Sequence, residues 1–208
     1  MKNLLRFFII SSSIIICLSN SINITITCEY TPNFNQSTNT TTFYCFTKNV
    51  SITEKETNVV KIIELQNSTT KSFSSSKVTL FSINSQIVKY FPQNIDKIFK
   101  NLQTLTIRNC ELKEISQKDL KNFKNLKFLQ LARNKIVKIE KNLFKFNPKL
   151  ELIDLFKNQL KVIDADTFDD LKNLNTLFLV DNKCISKQAL SNRNEVLKLI
   201  QEIKINCK

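Results

Sequence analysis

Cys110 sits in the stretch LTIRNCELKEI, where an apolar–polar alternation runs into a single thiol and then loosens. A thiol so placed has three roles open to it: half of a disulfide, a reactive nucleophile, or a piece of packing. The rest of the composition narrows the chemistry. The chain of 208 residues has 0 His and 0 Gly. Without histidine there is no Ser-His-Asp or Cys-His catalysis and no His-bearing zinc site. Without glycine there is no phosphate-cradling loop of the kind that needs residues lacking a Cβ. Carboxylate-pair and lysine chemistry survive this exclusion, but no convergent carboxylate pair is visible. The expectation is therefore a protein that is not an enzyme and needs no cofactor or metal.

The first residues read MKNLLRFFIISSSIIICLSNS. Lys2 and Arg6 form a basic start, Phe7 to Leu18 an apolar run, and Ser19 and Ser21 offer small residues for cleavage. This pattern is a secretory signal peptide over 1–21. The rival is an uncleaved anchor, which the run is too short to favour, since a span needs ~20 residues. No later run approaches that length, so no membrane span is expected after cleavage and the mature chain is expected to be secreted. Cleavage removes Cys17 and leaves Cys28, Cys45, Cys110, Cys184 and Cys207. An odd count in an oxidising compartment leaves one thiol unpaired or pairing between chains.

The elements that position these residues repeat. Leu102, Leu126, Leu150 and Leu174 recur every 24 residues. The first repeat continues Leu105, Ile107, Cys110, Leu112, Ile115, Leu120, Phe123, and the second Leu129, Leu131, Asn134, Ile136, Ile139, Phe144. The third runs Ile153, Leu155, Asn158, Leu160, Ile163, Phe168, Leu171, and a fourth begins Leu177, Leu179, Asn182. Upstream, Val78, Phe81, Ile83, Gln86, Val88 and Phe91 follow the spacing more loosely. The alternating Leu-x-Leu makes a short strand with one inward face. One such unit cannot bury that face alone, but stacked neighbours can. A coiled coil is excluded because the apolar spacing is not 3-4-3-4.

The pattern resembles the leucine-rich repeat, L-x-x-L-x-L-x-x-N/C-x-L. In period, and in Phe144 and Phe168 of the return segment, it is similar to the extracellular class that includes Toll-like receptor ectodomains and small secreted leucine-rich repeat proteins. The expected fold is an α/β leucine-rich-repeat solenoid, a short curved horseshoe with a parallel concave sheet. Its parts are an N-terminal β-rich capping region at 22–77, repeats at 78–182 and a helical cap at 183–208. At the ladder position, Asn134, Asn158 and Asn182 offer amides to buried turns of adjacent coils. Cys110 holds the same position, so its side chain is expected to point inward as the unpaired, inert cysteine.

At the N-terminal end, ITITCEY and TTFYCFT alternate and read as an antiparallel hairpin joined by a polar ten-residue loop and cross-linked by Cys28 and Cys45. NVVKIIEL and KVTLFSI read as further strands. Val196, Leu199, Ile200 and Ile203 share one helical face near the C-terminus, bracketed by Cys184 and Cys207. A disulfide there would contribute roughly 3 kcal/mol. Glycosylation is expected on some of the five sequons Asn23, Asn35, Asn39, Asn49 and Asn67, all of which precede the repeats.

Function is expected on the outward residues of the strands. These are Leu80, Ser82, Asn84 and Ser85; Thr104, Thr106, Arg108 and Asn109; Phe128, Gln130, Ala132 and Arg133; Leu152, Asp154, Phe156 and Lys157; and Thr176, Phe178, Val180 and Asp181. Phe128, Leu152, Phe156, Phe178 and Val180 form an apolar cluster, and Arg108, Arg133 and Lys157 a basic row. Aromatic residues and arginine are common interface anchors. Some of these side chains could equally just cover the sheet. The net charge is +13; loss of Lys2 and Arg6 with the signal segment leaves about +11, nearly all of it after Lys77. It favours acidic partners such as an acidic glycan, or it is solvated decoration. The leading expectation is recognition of an extracellular protein ligand, with innate immunity or signalling implied by the resemblance. The alternative is a basic glycan- or matrix-binding structural protein. No nucleic acid partner is expected.

Overall fold

The computed structural model describes residues 22–64, 74–164 and 166–208, so the expected signal segment and the sequon at Asn67 lie outside the described residues. Two alternating segments open the fold. Strand β1 (Asn23–Asn35) pairs antiparallel with β2 (Thr40–Lys48), with Cys28 opposite Thr47 and Tyr30 opposite Cys45. Cys28 and Cys45 are buried and disulfide-bonded. The expected ten-residue loop shrinks to a tight turn, because pairing continues through Asn35 and Thr40. The Asn35 carboxamide oxygen shapes that turn by accepting from the Ser37 and Thr38 backbone N–H groups at 3.0 and 3.3 Å. Short β3 (Ser51–Ile52) follows, and β4 (Asn58–Glu64) runs parallel to β1.

The repeats supply β5 (Val78–Asn84), β6 (Ile87–Val88), β7 (Thr104–Arg108), β8 (Phe128–Gln130) and β9 (Lys138–Ile139). They continue with β10 (Leu152–Asp154), β11 (Val162–Ile163), β12 (Thr176–Phe178) and β13 (Gln188–Ala189). Nine of the strands form one sheet, ordered β13-β12-β10-β8-β7-β5-β2-β1-β4. From β2 to β12 every pairing is parallel. The hairpin therefore extends the repeat sheet. It joins because β2 presents Phe43 and Cys45 inward, in register with Val78 and Phe81 of β5.

The inward leucines and isoleucines of each strand are fully buried, as are Phe99, Phe123, Phe144 and Phe168 on the return side. Each such side chain removed from water contributes roughly 1.5–3 kcal/mol. Among the described residues, the helical pieces of the return segments are the single turns α1 (Ile95–Ile98) and α2 (Gln117–Leu120). The turn after each strand is closed by the asparagine ladder. The Asn134 amide oxygen accepts from Cys110 and Leu112 N–H at 3.1 and 3.0 Å, while its nitrogen donates to the Ile107 and Leu131 carbonyls. Asn158 and Asn182 repeat the arrangement one and two coils on. Gln86 holds the equivalent position and donates at 2.8 Å to the Thr47 carbonyl of the hairpin, tying the cap into the ladder.

A glycine-free chain must make its left-handed turns with other residues. Ser85, Asn109, Arg133, Lys157 and Asp181, one period apart, all have φ between 52 and 58°. Each of the first four donates its N–H to a carbonyl of the next coil at 2.8–3.1 Å, and those bonds hold the conformation against its steric cost. At the far end β13 turns back antiparallel on β12, and helix α3 (Arg193–Asn206) buries Val196, Leu199, Ile200 and Ile203. Asn192 caps the helix, and the Cys184–Cys207 disulfide closes the end. Among the described residues no helix is long and apolar enough to cross a membrane.

Candidate recognition surface

Strand register sorts the outward residues into rows crossing the sheet. The first row runs Tyr44, Leu80, Thr104, Phe128, Leu152, Thr176. The second runs Phe46, Ser82, Thr106, Gln130, Asp154, Phe178. Beyond them come Asn84, Arg108, Ala132, Phe156 and Val180, and then the left-handed residues from Ser85 to Asp181. The expected outward residues are thus brought onto one surface, but they are not equally accessible. Ser82, Thr106, Asp154 and Thr176 are buried, and Ala132 is wholly so. This corrects the expectation that they offer contact area. The reason is geometric. Strands ~4.8 Å apart crowd their side chains, and short ones sink beneath longer neighbours. Thr176 is in addition roofed by Ser191, whose N–H it accepts at 3.1 Å.

The outward positions of β5 and β7 mix half-buried Leu80, Thr104 and Arg108 with buried Ser82 and Thr106. Thr106 donates to Gln130 at 3.1 Å, linking β7 to β8. From β8 onward the surface is apolar, with half-buried Phe128, Leu152, Phe156, Phe178 and Val180. Within this patch lies Asp154, whose carboxylate accepts from the Phe156 N–H at 3.0 Å and faces Arg108 at 3.9 Å. Burial pushes its pKa up, and those two donors only partly oppose the shift. Arg133 places its guanidinium over the Phe156 ring, 5.3 Å from the centroid. Lys157 and Asp181 are exposed at the edge.

Cys110 is fully buried and unpaired, and its thiol donates to the Arg108 carbonyl at 2.9 Å. Burial raises its pKa, which disfavours the nucleophilic thiolate. Asn23, Asn35, Asn39 and Asn49 are exposed on the hairpin and its turns. Among the described residues no group of acidic or thiol side chains is arranged to hold a metal.

Tyr44 and Phe46 escaped the reading of the sequence. Their rings pack edge-on at 6.4 Å, and Phe46 is 38% exposed on the same face as Ser82. The signal was present in the alternation of TTFYCFT, which separates Tyr44 and Phe46 from inward Phe43 and Cys45. What it lacked was the long-range pairing of β2 with β5.

A family model described as leucine rich repeat matches residues 100–160 and again 124–184, so this stretch consists of leucine-rich repeats. Among solved structures the chain is similar to Toll of Drosophila, from the Toll–Spatzle complex, at 24% identity and a TM-score of 0.49, over 52% of this chain and 14% of that one. It is also similar to the TLR13–ssRNA13 complex, at 25% identity and TM-score 0.48, over 52% of this chain and 15% of that one. The LRIM1/APL1C complex is similar at 16% identity and TM-score 0.48, over 74% of this chain and 31% of that one. The chain thus spans less than a third of these proteins' length. No curated protein matches it by sequence.

Proposed function

We propose that this is an extracellular recognition protein, free of catalytic function, that binds a protein ligand through the solvent face of β8, β10 and β12. The observation that carries the reading is the apolar patch of Phe128, Leu152, Phe156, Phe178 and Val180, rimmed by Arg133 and Lys157. Aromatic anchors inside a polar rim are the usual anatomy of a protein interface. The two disulfides suit an oxidising, extracellular setting. A role in immune recognition or signalling accords with the resemblance to Toll-like receptor ectodomains.

The test is affinity capture from extracellular fluid, with the Phe156→Asp, Phe178→Asp double variant as the control bait. A protein retained by the wild type and lost from the variant supports the reading. Equal retention on both baits refutes this placement of the site. A heparin column run in parallel checks the glycan alternative, which requires retention beyond physiological salt.

A further inference from the structure

We infer that the cleft beside Arg133 and Lys157 receives an acidic side chain of the protein partner, a proposal that rests on the recognition reading above. The cleft holds about 670 Å³ and follows the left-handed turns at the strand ends, with Ser85, Asn109, Arg133, Lys157 and Gln159 among its lining. Its charge is not internally balanced. The acidic residue in its wall, Glu111, is bound to Lys135 at 3.0 Å, so that pair neutralises itself. Among the described residues neither Arg133 nor Lys157 has a carboxylate partner.

The turns that carry both cations are fixed before any ligand arrives, and the Arg133 side chain is fixed with them. The Arg133 and Lys157 N–H groups bond the Phe156 and Val180 carbonyls at 2.8 and 2.9 Å, fixing the two turns on neighbouring coils. The Arg133 guanidinium rests on the Phe156 ring, which leaves its N–H edge for a ligand. A planar guanidinium with a fixed face suits a carboxylate. Coils repeat at ~4.8 Å, so one carboxylate is within reach of both cations.

Phe156 decides between a protein and a polyanion as the occupant. It lies under Arg133, a residue of the cleft wall, and belongs to the apolar patch, so cleft and patch meet at Arg133. A peptide carrying apolar residues next to an acidic one engages both. A sulfated chain gains nothing from Phe128, Leu152 or Phe178, and among the described residues of the cleft wall it finds two unpaired cations.

The experiment selects binders from random dodecapeptides displayed on phage, using the full chain as bait. Four baits are compared: wild type, Arg133→Gln with Lys157→Gln, Arg133→Glu with Lys157→Glu, and Phe156→Asp with Phe178→Asp. Each is first shown to unfold cooperatively on heating. Wild type is expected to select peptides that join Asp or Glu to apolar residues. Those peptides should bind the neutral variant at least about tenfold more weakly. The charge-reversed variant should instead select Lys or Arg at the same place. Wild-type binders without acidic residues, or acidic binders indifferent to the neutral variant, overturn the proposal. If such binders still fail on the Phe156→Asp, Phe178→Asp bait, the recognition reading stands without it. A heparin fragment that binds more tightly than any peptide, and ignores the aromatic variant, makes the cleft a glycan site and also overturns the proposal.

Discussion

Strands β1 and β2 have 13 and 9 residues and a disulfide between them, whereas β8, β10 and β12 have 3 residues each. Both sets lie in one sheet. The hairpin is held by its own ladder of backbone bonds and a covalent link. The repeat strands are too short for that and depend on what closes the turn behind them, the amides of Asn134, Asn158 and Asn182. The solvent faces also differ. The hairpin offers Tyr44 and Phe46 beside β5 and an exposed Phe34 next to its turn, while the C-terminal strands offer a contiguous apolar patch with a cationic rim. Local pairing makes the first region self-sufficient, while the second gains a broad regular surface by relying on neighbours.

The sharpest way to break this comparison is to remove a ladder amide. Asn134→Leu deprives the buried Cys110 and Leu112 N–H groups of their shared partner, the Asn134 amide oxygen. It should cost about 4 kcal/mol in denaturant unfolding, since each orphaned buried group costs ~1–3 kcal/mol. Next, Cys28→Ser with Cys45→Ser opens a loop of sequence separation 17 and should cost roughly 3 kcal/mol. If the order of these two losses were reversed, the hairpin rather than the ladder would be the keystone of the sheet.

A smaller effect runs in the opposite direction. Lys157 is exposed with φ 52°, a conformation glycine adopts without steric cost. Lys157→Gly should raise stability by up to about 1 kcal/mol, read as a higher Tm. A drop would show that the lysine side chain supports the turn.

The smallest effect concerns pH. The folded state raises the Asp154 pKa above its ordinary 3.8, so it holds the proton more tightly than the unfolded chain does. Its contribution is therefore greatest in acid and declines as pH rises from about 3.8 through the folded pKa. Asp154→Asn should remove that decline and be slightly more stable than wild type at pH 7, in melts compared at pH 4 and 7. Equal pH slopes in the two proteins would contradict this.

The repeats were legible because one constraint recurs. Every coil must bury the same positions, so Leu102, Leu126, Leu150 and Leu174 mark the register, and Cys110 could be placed by its neighbours. The join between hairpin and repeats was not legible. Parallel pairing of β2 with β5 spans a long separation and has no periodic mark, so Tyr44 and Phe46 were missed. The surface was half legible. Period-two alternation tells which residues face outward, but not that Thr106, Asp154 and Thr176 sink below their neighbours, since that depends on side-chain lengths on adjacent strands.

The most direct measurement is the affinity of a captured partner for three proteins: wild type, Phe156→Asp with Phe178→Asp, and Tyr44→Ser with Phe46→Ser. Interface anchors contribute at least ~2 kcal/mol each, so the first variant should bind more than about thirtyfold more weakly, while the hairpin variant stays within a few fold of wild type. Unchanged affinity in the Phe156→Asp, Phe178→Asp protein would contradict the placement of recognition on the C-terminal strands.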